Sequence, residues 1–295
     1  MRWCKEFAAV CVGILAIEGA ARFASAVEMV QLTHDGRFKC TPVACSARDE
    51  IVYAELADPT LYRLMKLNLK DGNTQVLRPE AKTSEFEPAF SADAKVFVFL
   101  KTSGVLRVNL VIQDDTGARL GEVPPGDGFS GMRSPAVSPD HSRVAYSFAE
   151  GGRQQLFSVR TDGTERQTLV DSAGINNWPA FSPDGRTMVF GSSRDGDFEI
   201  YRMNADGSDV RRLTHSPGQD IRPRFSPDGK RICFTSQRDG NAEIYVMDSD
   251  GSHVRRITGS PDRDDYPHWL PDGRRLVIVS EHAGRHDLFR VDVDP

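Results

Sequence analysis

The amino-acid sequence predicts an all-β fold, a six-bladed β-propeller, from a long internal repeat, regular turn signals and a divided last repeat. A segment of the form Pro-x-Phe/Trp-Ser/Leu-Pro-Asp-Gly recurs with looser copies, and each repeat is about 44 residues long, within the ~40–50 residues typical of propeller blades. Eleven Asp-Gly pairs separate short apolar segments. The six copies begin at Pro42, Pro88, Pro135, Pro179, Pro223 and Pro267.

Each repeat has the pattern of a four-stranded meander. In the fifth repeat we predict strands at residues 223–226, 231–236, 243–247 and 254–258. Tight turns containing Asp-Gly join these strands, because Gly accepts a positive φ and Asp hydrogen-bonds the backbone that follows it. No helical periodicity interrupts the pattern, so all six units are predicted to be small antiparallel sheets.

The N-terminal strand is predicted to complete the sixth blade. The last repeat stops after its third strand, near residues 287–291, and therefore lacks an outer strand. Leu32 precedes the first repeat's proline by ten residues, the same spacing as Leu213 and Ile257 in later repeats. Residues 29–33 are expected to pair with the last strand, which closes the ring and leaves no exposed sheet edge.

Residues 1–26 are predicted to form a secretory signal peptide. Arg2 and Lys5 precede an apolar run over residues 7–17, and small residues suit cleavage near Ala26. This run is too short to span a bilayer, which needs ~20 apolar residues. We therefore expect a periplasmic or secreted monomer without a membrane span, with residues 27–295 as a single propeller domain.

Composition and motifs argue against some functions, and the cysteines leave one possible disulfide open. The chain has 37 Lys and Arg against 42 Asp and Glu, a net charge of −5, which disfavours nucleic-acid binding. Neither a Gly-x-Ser-x-Gly elbow nor a His-Glu-x-x-His motif is present, so no catalytic residues are assigned. Cys40 and Cys45 could form a disulfide after export, but the intervening Pro42 leaves its geometry open.

The repeats resemble those of the TolB family of six-bladed propellers. The Pro-x-Phe/Trp-Ser-Pro-Asp-Gly-Arg/Lys element and the related segments 193–203 and 237–247 carry the resemblance. It implies a periplasmic scaffold of the Tol-Pal envelope system that binds a peptidoglycan-associated lipoprotein at its channel mouth. Val27 leads almost directly into the predicted closing strand, so we expect neither the α/β domain that precedes the propeller in TolB nor its binding to TolA.

The channel mouth is the predicted binding surface. Loops between second and third strands, and loops between blades, emerge on one face, called here the loop face. Most candidate partner-binding residues lie one to three positions before a repeat proline. The other two are basic residues directly after the proline, where three other repeats have alanine. The alternative is that the polar members cap turns, the aromatic members pack between blades and the cations form salt bridges. The candidates are Glu85, Phe86, Asn176, Trp178, Asp220, Arg224, Asp264, Tyr266 and His268.

The expected function is a non-catalytic protein-interaction scaffold in cell-envelope maintenance, without a cofactor. Similar repeats occur in propellers resembling oligogalacturonate lyase and prolyl oligopeptidase, so the fold alone does not decide function. His34, His282 and His286 are placed near one another by the predicted ring closure and are candidate ligands of a divalent metal. The alternatives are therefore a metal-dependent, oligogalacturonate-type polysaccharide lyase and a propeller that binds a glycan or small ligand.

Overall fold

The computed structural model describes residues 28–45, 47–104, 107–125, 131–150, 152–259 and 261–294. These residues form 24 strands in six antiparallel four-stranded sheets, the blades of a β-propeller. The predicted fold class is therefore confirmed. No helix within the described ranges has the length and apolar character needed to cross a membrane. The predicted signal peptide lies outside the described residues.

The first three blades follow one another along the chain, each with its first strand innermost. Blade 1 contains β2 Lys39–Cys45, β3 Glu50–Asp58, β4 Leu61–Asn68 and β5 Thr74–Val76. Blade 2 contains β6 Glu85–Phe90, β7 Val96–Gly104, β8 Arg107–Asp114 and β9 Arg119–Val123. Blade 3 contains β10 Arg133–Val137, β11 Arg143–Glu150, β12 Arg153–Arg160 and β13 Gln167–Val170.

The remaining blades keep this order, and the last takes its outer strand from the start of the described chain. Blade 4 contains β14 Asn176–Phe181, β15 Thr187–Ser192, β16 Glu199–Asn204 and β17 Arg211–Arg212. Blade 5 contains β18 Asp220–Phe225, β19 Arg231–Ser236, β20 Glu243–Asp248 and β21 Arg255–Arg256. Blade 6 contains β22 Arg263–Trp269, β23 Arg275–His282, β24 Arg285–Asp292 and β1 Met29–Gln31.

The Ser-Pro-Asp-Gly element of the repeat forms the turn between the first two strands of a blade. In blade 5 the Ser226 hydroxyl donates to Asp228 Oδ1 at 2.6 Å and accepts from the Arg231 N–H at 2.9 Å. The same Asp228 oxygen accepts from the Lys230 N–H at 3.1 Å. Ser and Asp therefore accept hydrogen bonds from backbone N–H groups that a tight turn leaves unpaired. The Ser-Pro-Asp-Gly element thus has a structural role in the turn.

Closure of the ring follows the predicted arrangement. Strand β1 pairs antiparallel with β24, Met29 opposite Val291 and Gln31 opposite Phe289. The Leu32 N–H continues the ladder by donating to the Leu288 carbonyl at 2.7 Å. The prediction that the N-terminal strand completes the sixth blade is confirmed.

Apolar packing between neighbouring blades holds the ring together. One core cluster combines Val189 and Ile200 of blade 4 with Ile232 and Phe234 of blade 5, and all four side chains are fully buried. Full burial of side chains of this size stabilises a fold by about 1.5–3 kcal/mol each. Because the blades pack face to face around a closed ring, their six innermost strands surround a central channel.

Candidate functional site

Every inner strand contains a β-bulge at the repeat proline. Pairing with the second strand shifts register across this point, for example between Ile221 and Arg224 in blade 5. The residue before each proline has φ between 49° and 56°, although that position normally disfavours helical conformations and non-glycine residues rarely adopt positive φ. These pre-proline residues are Thr41, Glu87, Ser134, Trp178, Arg222 and Tyr266.

The bulges bring all six pre-proline side chains to one cavity. This central cavity has a volume of about 640 Å³, and each of the six residues contributes to its lining. Thr60, between strands β3 and β4, and Ser84, before β6, also line it. Because these two residues belong to the loop face, the cavity opens where the sequence predicted a binding surface.

Arg222 is held between aromatic rings in the cavity wall. Its guanidinium carbon lies 4.1 Å from the centre of the Tyr266 ring and 5.2 Å from that of Trp178. Nη1 lies 3.2 Å from Asp265 Oδ1. Nevertheless, the buried Nε and Nη1 atoms have no hydrogen-bond acceptor among the described residues. Cation–π contacts therefore fix the position of a guanidinium that keeps unused donors.

Two further arginines and one carboxylate line the same cavity. Arg224 donates through Nη1 to the Pro179 carbonyl at 3.1 Å. Arg133 Nη1 lies 3.7 Å from Glu87 Oε1, and Glu87 also accepts from the Ser134 N–H. Burial raises the pKa of Glu87, against the lowering effects of this hydrogen bond and of the nearby arginines. Three arginines facing a single carboxylate give the described cavity lining a positive balance.

An aromatic arc lies on the blade 1 and blade 2 side of the cavity. The Phe38 and Tyr62 ring centres are 6.3 Å apart, and those of Tyr62 and Phe86 are 6.2 Å apart. Phe38 is 36% exposed, and its ring centre is 4.9 Å from that of His286. The opening therefore offers rigid, partly exposed aromatic rings opposite a basic wall.

The predicted partner-binding residues separate into two groups. Phe86, Trp178, Arg224 and Tyr266 line the cavity. His268 is absent from its described lining, and its Nδ1 lies 3.0 Å from the Trp269 carbonyl oxygen. Burial lowers the pKa of His268 to about 4, so this imidazole is neutral at pH 7.

The other four candidates, Glu85, Asn176, Asp220 and Asp264, are at most 1% exposed, and none lines the cavity. Three of them contact an arginine that lies in a loop. Glu85 Oε2 lies 3.0 Å from Arg78 Nε. Asn176 Oδ1 accepts from Arg194 at 3.1 Å, and Asp220 Oδ2 accepts from Arg238 at 2.8 Å. These three polar side chains therefore bind arginine side chains within the structure and do not face the cavity.

Asp264 lacks the arginine contact of its counterparts. In blade 6, His282 stands where blade 5 has Arg238, and its Nδ1 instead contacts Asp262 Oδ2 at 2.5 Å. No Lys or Arg forms an ion pair with Asp264 within the described ranges. Burial raises the pKa of Asp264 to about 6, and the neighbouring Glu243 and Asp262 carboxylates add to this increase.

The metal-ligand candidates do not come together as a coordinating set. Besides the His282 contact with Asp262, His286 Nε2 lies 3.4 Å from Glu281 Oε2. The His34 backbone carbonyl accepts from Arg285 at 2.9 Å. Across the described parts of the chain, no group of three or more His, Cys, Asp or Glu residues is arranged to hold a metal ion.

The described cysteines are unpaired. Cys40 lines the cavity, whereas Cys45 and Cys233 are buried elsewhere. Burial raises the pKa of the Cys40 thiol to about 12. A thiol with such a pKa has little nucleophilic character at neutral pH.

Sequence reasoning missed several residues that line the cavity, above all Arg222, Glu87, Arg133, Tyr62 and Phe38. A signal for the first two was present in the repeat itself. The residue directly before each proline is different in all six copies, while the following Pro is constant. A variable position beside a constant one indicates a side chain that the fold does not prescribe.

Comparison with known proteins agrees with this architecture. A family model described as the TolB β-propeller domain matches residues 110–295. A search of curated proteins gave no match.

Among solved structures, TolB from Acinetobacter baumannii is similar with 21% identity and a TM-score of 0.67, over 84% of this chain and 65% of that one. The present chain therefore spans less than two thirds of that protein. An Agrobacterium tumefaciens protein assigned as TolB has 28% identity and a TM-score of 0.59, over 72% of this chain and 74% of that one. An oligogalacturonate lyase in complex with manganese has 14% identity and a TM-score of 0.61, over 92% and 94%. The first and the last of these similarities concern the fold alone.

The family match covers well over half of the sequence and coincides with the blades whose repeats are most regular. The chain belongs to the TolB β-propeller domain family.

Proposed function

We propose that this protein is an exported, non-catalytic scaffold that binds a protein partner at the loop-face opening of its central cavity. The observation that carries the proposal is the set of six pre-proline residues that share positive φ and one cavity. Backbone strain of this kind costs of order 1–3 kcal/mol per residue and is concentrated at functional sites. A repeated strained conformation that aims six different side chains at one space is best explained by recognition.

The surface around the opening suits a protein partner. The aromatic arc of Phe38, Tyr62 and Phe86 provides rigid contact area beside a basic wall. Aromatic and arginine side chains dominate the energetics of protein interfaces, especially when they line a pocket. A protruding segment of the partner would enter the cavity, while the loop face would contact the remainder.

The resemblance to TolB makes a peptidoglycan-associated lipoprotein the first partner to test, and the cell envelope the proposed location. Binding of the purified, lipid-free lipoprotein from the same organism would be measured by biolayer interferometry on the immobilised chain. The double variant Phe38→Ser/Tyr62→Ser is expected to bind at least about tenfold more weakly, because hot-spot aromatic residues each contribute more than about 1 kcal/mol.

A matched control removes equally exposed apolar side chains away from the cavity. Leu120 and Val254 are 42% and 38% exposed and do not line the cavity. Leu120→Ser/Val254→Ser should bind like the wild-type protein. If the two double variants bind equally, or if envelope extracts contain a partner that photo-crosslinks only outside the loop face, the proposal is wrong.

A further inference from the structure

We propose that Arg222 and Arg224 form a carboxylate-binding site inside the central cavity. This inference rests on the proposed function and names the chemistry that an entering ligand must present. The carboxylate could belong to an acidic residue of an inserted protein segment or to a sugar acid. Both sources offer the same planar, two-oxygen group, which matches the fork of a guanidinium.

The first observation is that Arg222 has donor capacity that the protein does not use. Its buried Nε and Nη1 atoms lack hydrogen-bond acceptors among the described residues. A buried donor left unpaired destabilises a protein, and more strongly when it is charged. An acceptor supplied by a ligand in the cavity would remove this cost.

Neutralisation of Asp265 does not account for Arg222. Asp265 accepts from the Thr235 hydroxyl at 2.9 Å and from the Tyr266 N–H at 2.7 Å. Arg263 Nη2 provides a third contact, at 2.9 Å from Asp265 Oδ2. This carboxylate therefore already has a cation and two further donors without Arg222. Arg222 Nη1 also lies 3.2 Å from Asp265 Oδ1, so two arginines share this one carboxylate. Together they carry one more positive charge than Asp265 neutralises, and that excess is available to another anion.

The second observation is that Arg224 replaces a small residue. Its position is occupied by Ala89, Ala136 and Ala180 in blades 2, 3 and 4, and each of these alanines is at least 92% buried. The Arg224 guanidinium has one hydrogen bond, to the Pro179 carbonyl, among the described contacts. Because the fold accepts alanine at this position in three blades, the guanidinium is not a requirement of the propeller.

Arg222 and Arg224 line the same cavity and influence each other electrostatically. Burial lowers the pKa of Arg224, Cys233 and the cavity carboxylate Glu87 raise it in part, and the nearby charge of Arg222 lowers it. Like charges placed together in a partly closed cavity repel each other, and a bound anion would relieve this repulsion. The chain as a whole carries a net charge of −5, so the positive cavity lining is a local departure from an acidic protein.

The aromatic side chains favour preorganisation of the site. Tyr266 and Trp178 lie on either side of the Arg222 guanidinium, at 4.1 Å and 5.2 Å. These contacts reduce the freedom that Arg222 would lose on binding. They also place apolar ring surface next to the carboxylate position, where the remainder of a ligand would lie.

Two matched pairs of small probes test the site with the intact protein. The first pair is acetyl-aspartate amide and acetyl-asparagine amide, and the second is glucuronate and glucose. Binding would be measured at low salt by calorimetry with probe concentrations up to about 10 mM, which detects millimolar dissociation constants. Trp178 fluorescence would report on the cavity, with Trp178→Phe identifying its signal.

Arg224→Ala is the main variant because it introduces the residue found at this position in three other blades. We expect the carboxylate member of at least one pair to bind at least tenfold more tightly than its neutral partner. We also expect Arg224→Ala to weaken that binding by roughly ten- to a hundredfold, as for a lost charge-assisted hydrogen bond. Arg211→Ala, at an exposed outer strand, should leave binding unchanged.

The pair that binds identifies the source of the carboxylate. If neither carboxylate exceeds its neutral partner, or if Arg224→Ala and Arg211→Ala behave alike, the inference is overturned. Failure of the proposed scaffold function gives a different result from failure of the carboxylate site. The scaffold proposal fails if the Phe38→Ser/Tyr62→Ser variant binds the partner normally. If that double variant loses the partner while Arg224→Ala retains both the partner and the probes, only the carboxylate site is rejected.

Discussion

Asp264→Asn is predicted to stabilise the propeller at neutral pH. Asp264 is fully buried, and burial raises the pKa of its carboxyl from 3.8 to about 6. The native state therefore holds a proton on Asp264 through a pH range in which the unfolded state has released it. By linkage, this group makes the wild-type protein less stable as pH rises from about 4 through about 6, and the loss persists above that range.

The magnitude follows from the difference between these two pKa values. The difference is about two units, and each unit corresponds to about 1.4 kcal/mol, so the charged Asp264 lowers the free energy of unfolding by about 3 kcal/mol at pH 7.5. Asparagine carries no charge at any pH and escapes this loss. Blade 4 has Asn176 at the same position, which shows that a carboxamide is compatible with the blade.

Urea unfolding followed by tryptophan fluorescence, at several pH values between 4 and 8, measures the effect. We expect Asp264→Asn to exceed the wild-type stability by about 3 kcal/mol at pH 7.5 and to match it near pH 4. Comparing the two proteins at each pH cancels the contributions of titrating groups that do not interact with Asp264. A variant that is no more stable than the wild type at pH 7.5 would refute the reasoning.

Asp220→Asn is the matched control, because it changes the same position in blade 5. Asp220 forms an ion pair with Arg238 at 2.8 Å. The substituted carboxamide would still accept from this arginine, as Asn176 accepts from Arg194, but the attraction between the two opposite charges would be lost. We expect a loss of stability of about 1–3 kcal/mol at pH 7.5. The same substitution should therefore have opposite signs in two adjacent blades.

Three further predictions concern the seam, the cavity thiol and the repeat turn. Asp287 accepts hydrogen bonds from Thr33, Gln31 and the Gly36 N–H. At about 1 kcal/mol for each lost bond, Asp287→Ala should lower stability by about 3 kcal/mol and speed hydrogen exchange in β1, whereas Asp115→Ala at an exposed position should not. Cys40, with its pKa raised to about 12, should react with a maleimide at pH 7 at least about a hundredfold more slowly than free cysteine, by peptide mapping. Ser226→Ala removes two hydrogen bonds of its turn and should lower stability by about 1 kcal/mol in urea unfolding; an unchanged midpoint would contradict this.

Local chemistry made the blades predictable. The Ser182-Pro183-Asp184-Gly185 turn depends on atoms within a few residues of one another, because Ser182 donates to Asp184 and Asp184 accepts from the Arg186 N–H. Ring closure was also predictable, since the repeat length showed that one outer strand had to come from the N-terminal side. Each of these features is specified by spacing that can be read from the chain.

The buried polar positions could not be assigned in this way. Asp220 and Asp264 have the same residue type and the same place in the repeat, so sequence chemistry predicts the same role for both. Their difference arises from a residue eighteen positions later, which is Arg238 in one blade and His282 in the other. Whether a carboxylate caps a turn, pairs with a cation or faces a cavity depends on tertiary burial.

The direction of the pre-proline side chains was the least predictable feature. These six side chains line the cavity, and they occupy a position at which all six repeats differ from one another. A residue before proline normally prefers an extended backbone, which would not have turned Arg222 towards the channel. The bulge at each inner strand instead gives every blade one side chain that lines a shared cavity, even where, as for Tyr266, the same side chain also packs against the core. Because the proline and the Asp-Gly turns maintain the blade, this one position can change from Thr41 to Glu87 or Trp178 without altering the architecture. Six independent choices around one ring can therefore produce a specific binding cavity, and the chemistry of those choices carries more functional information than the net charge of the chain.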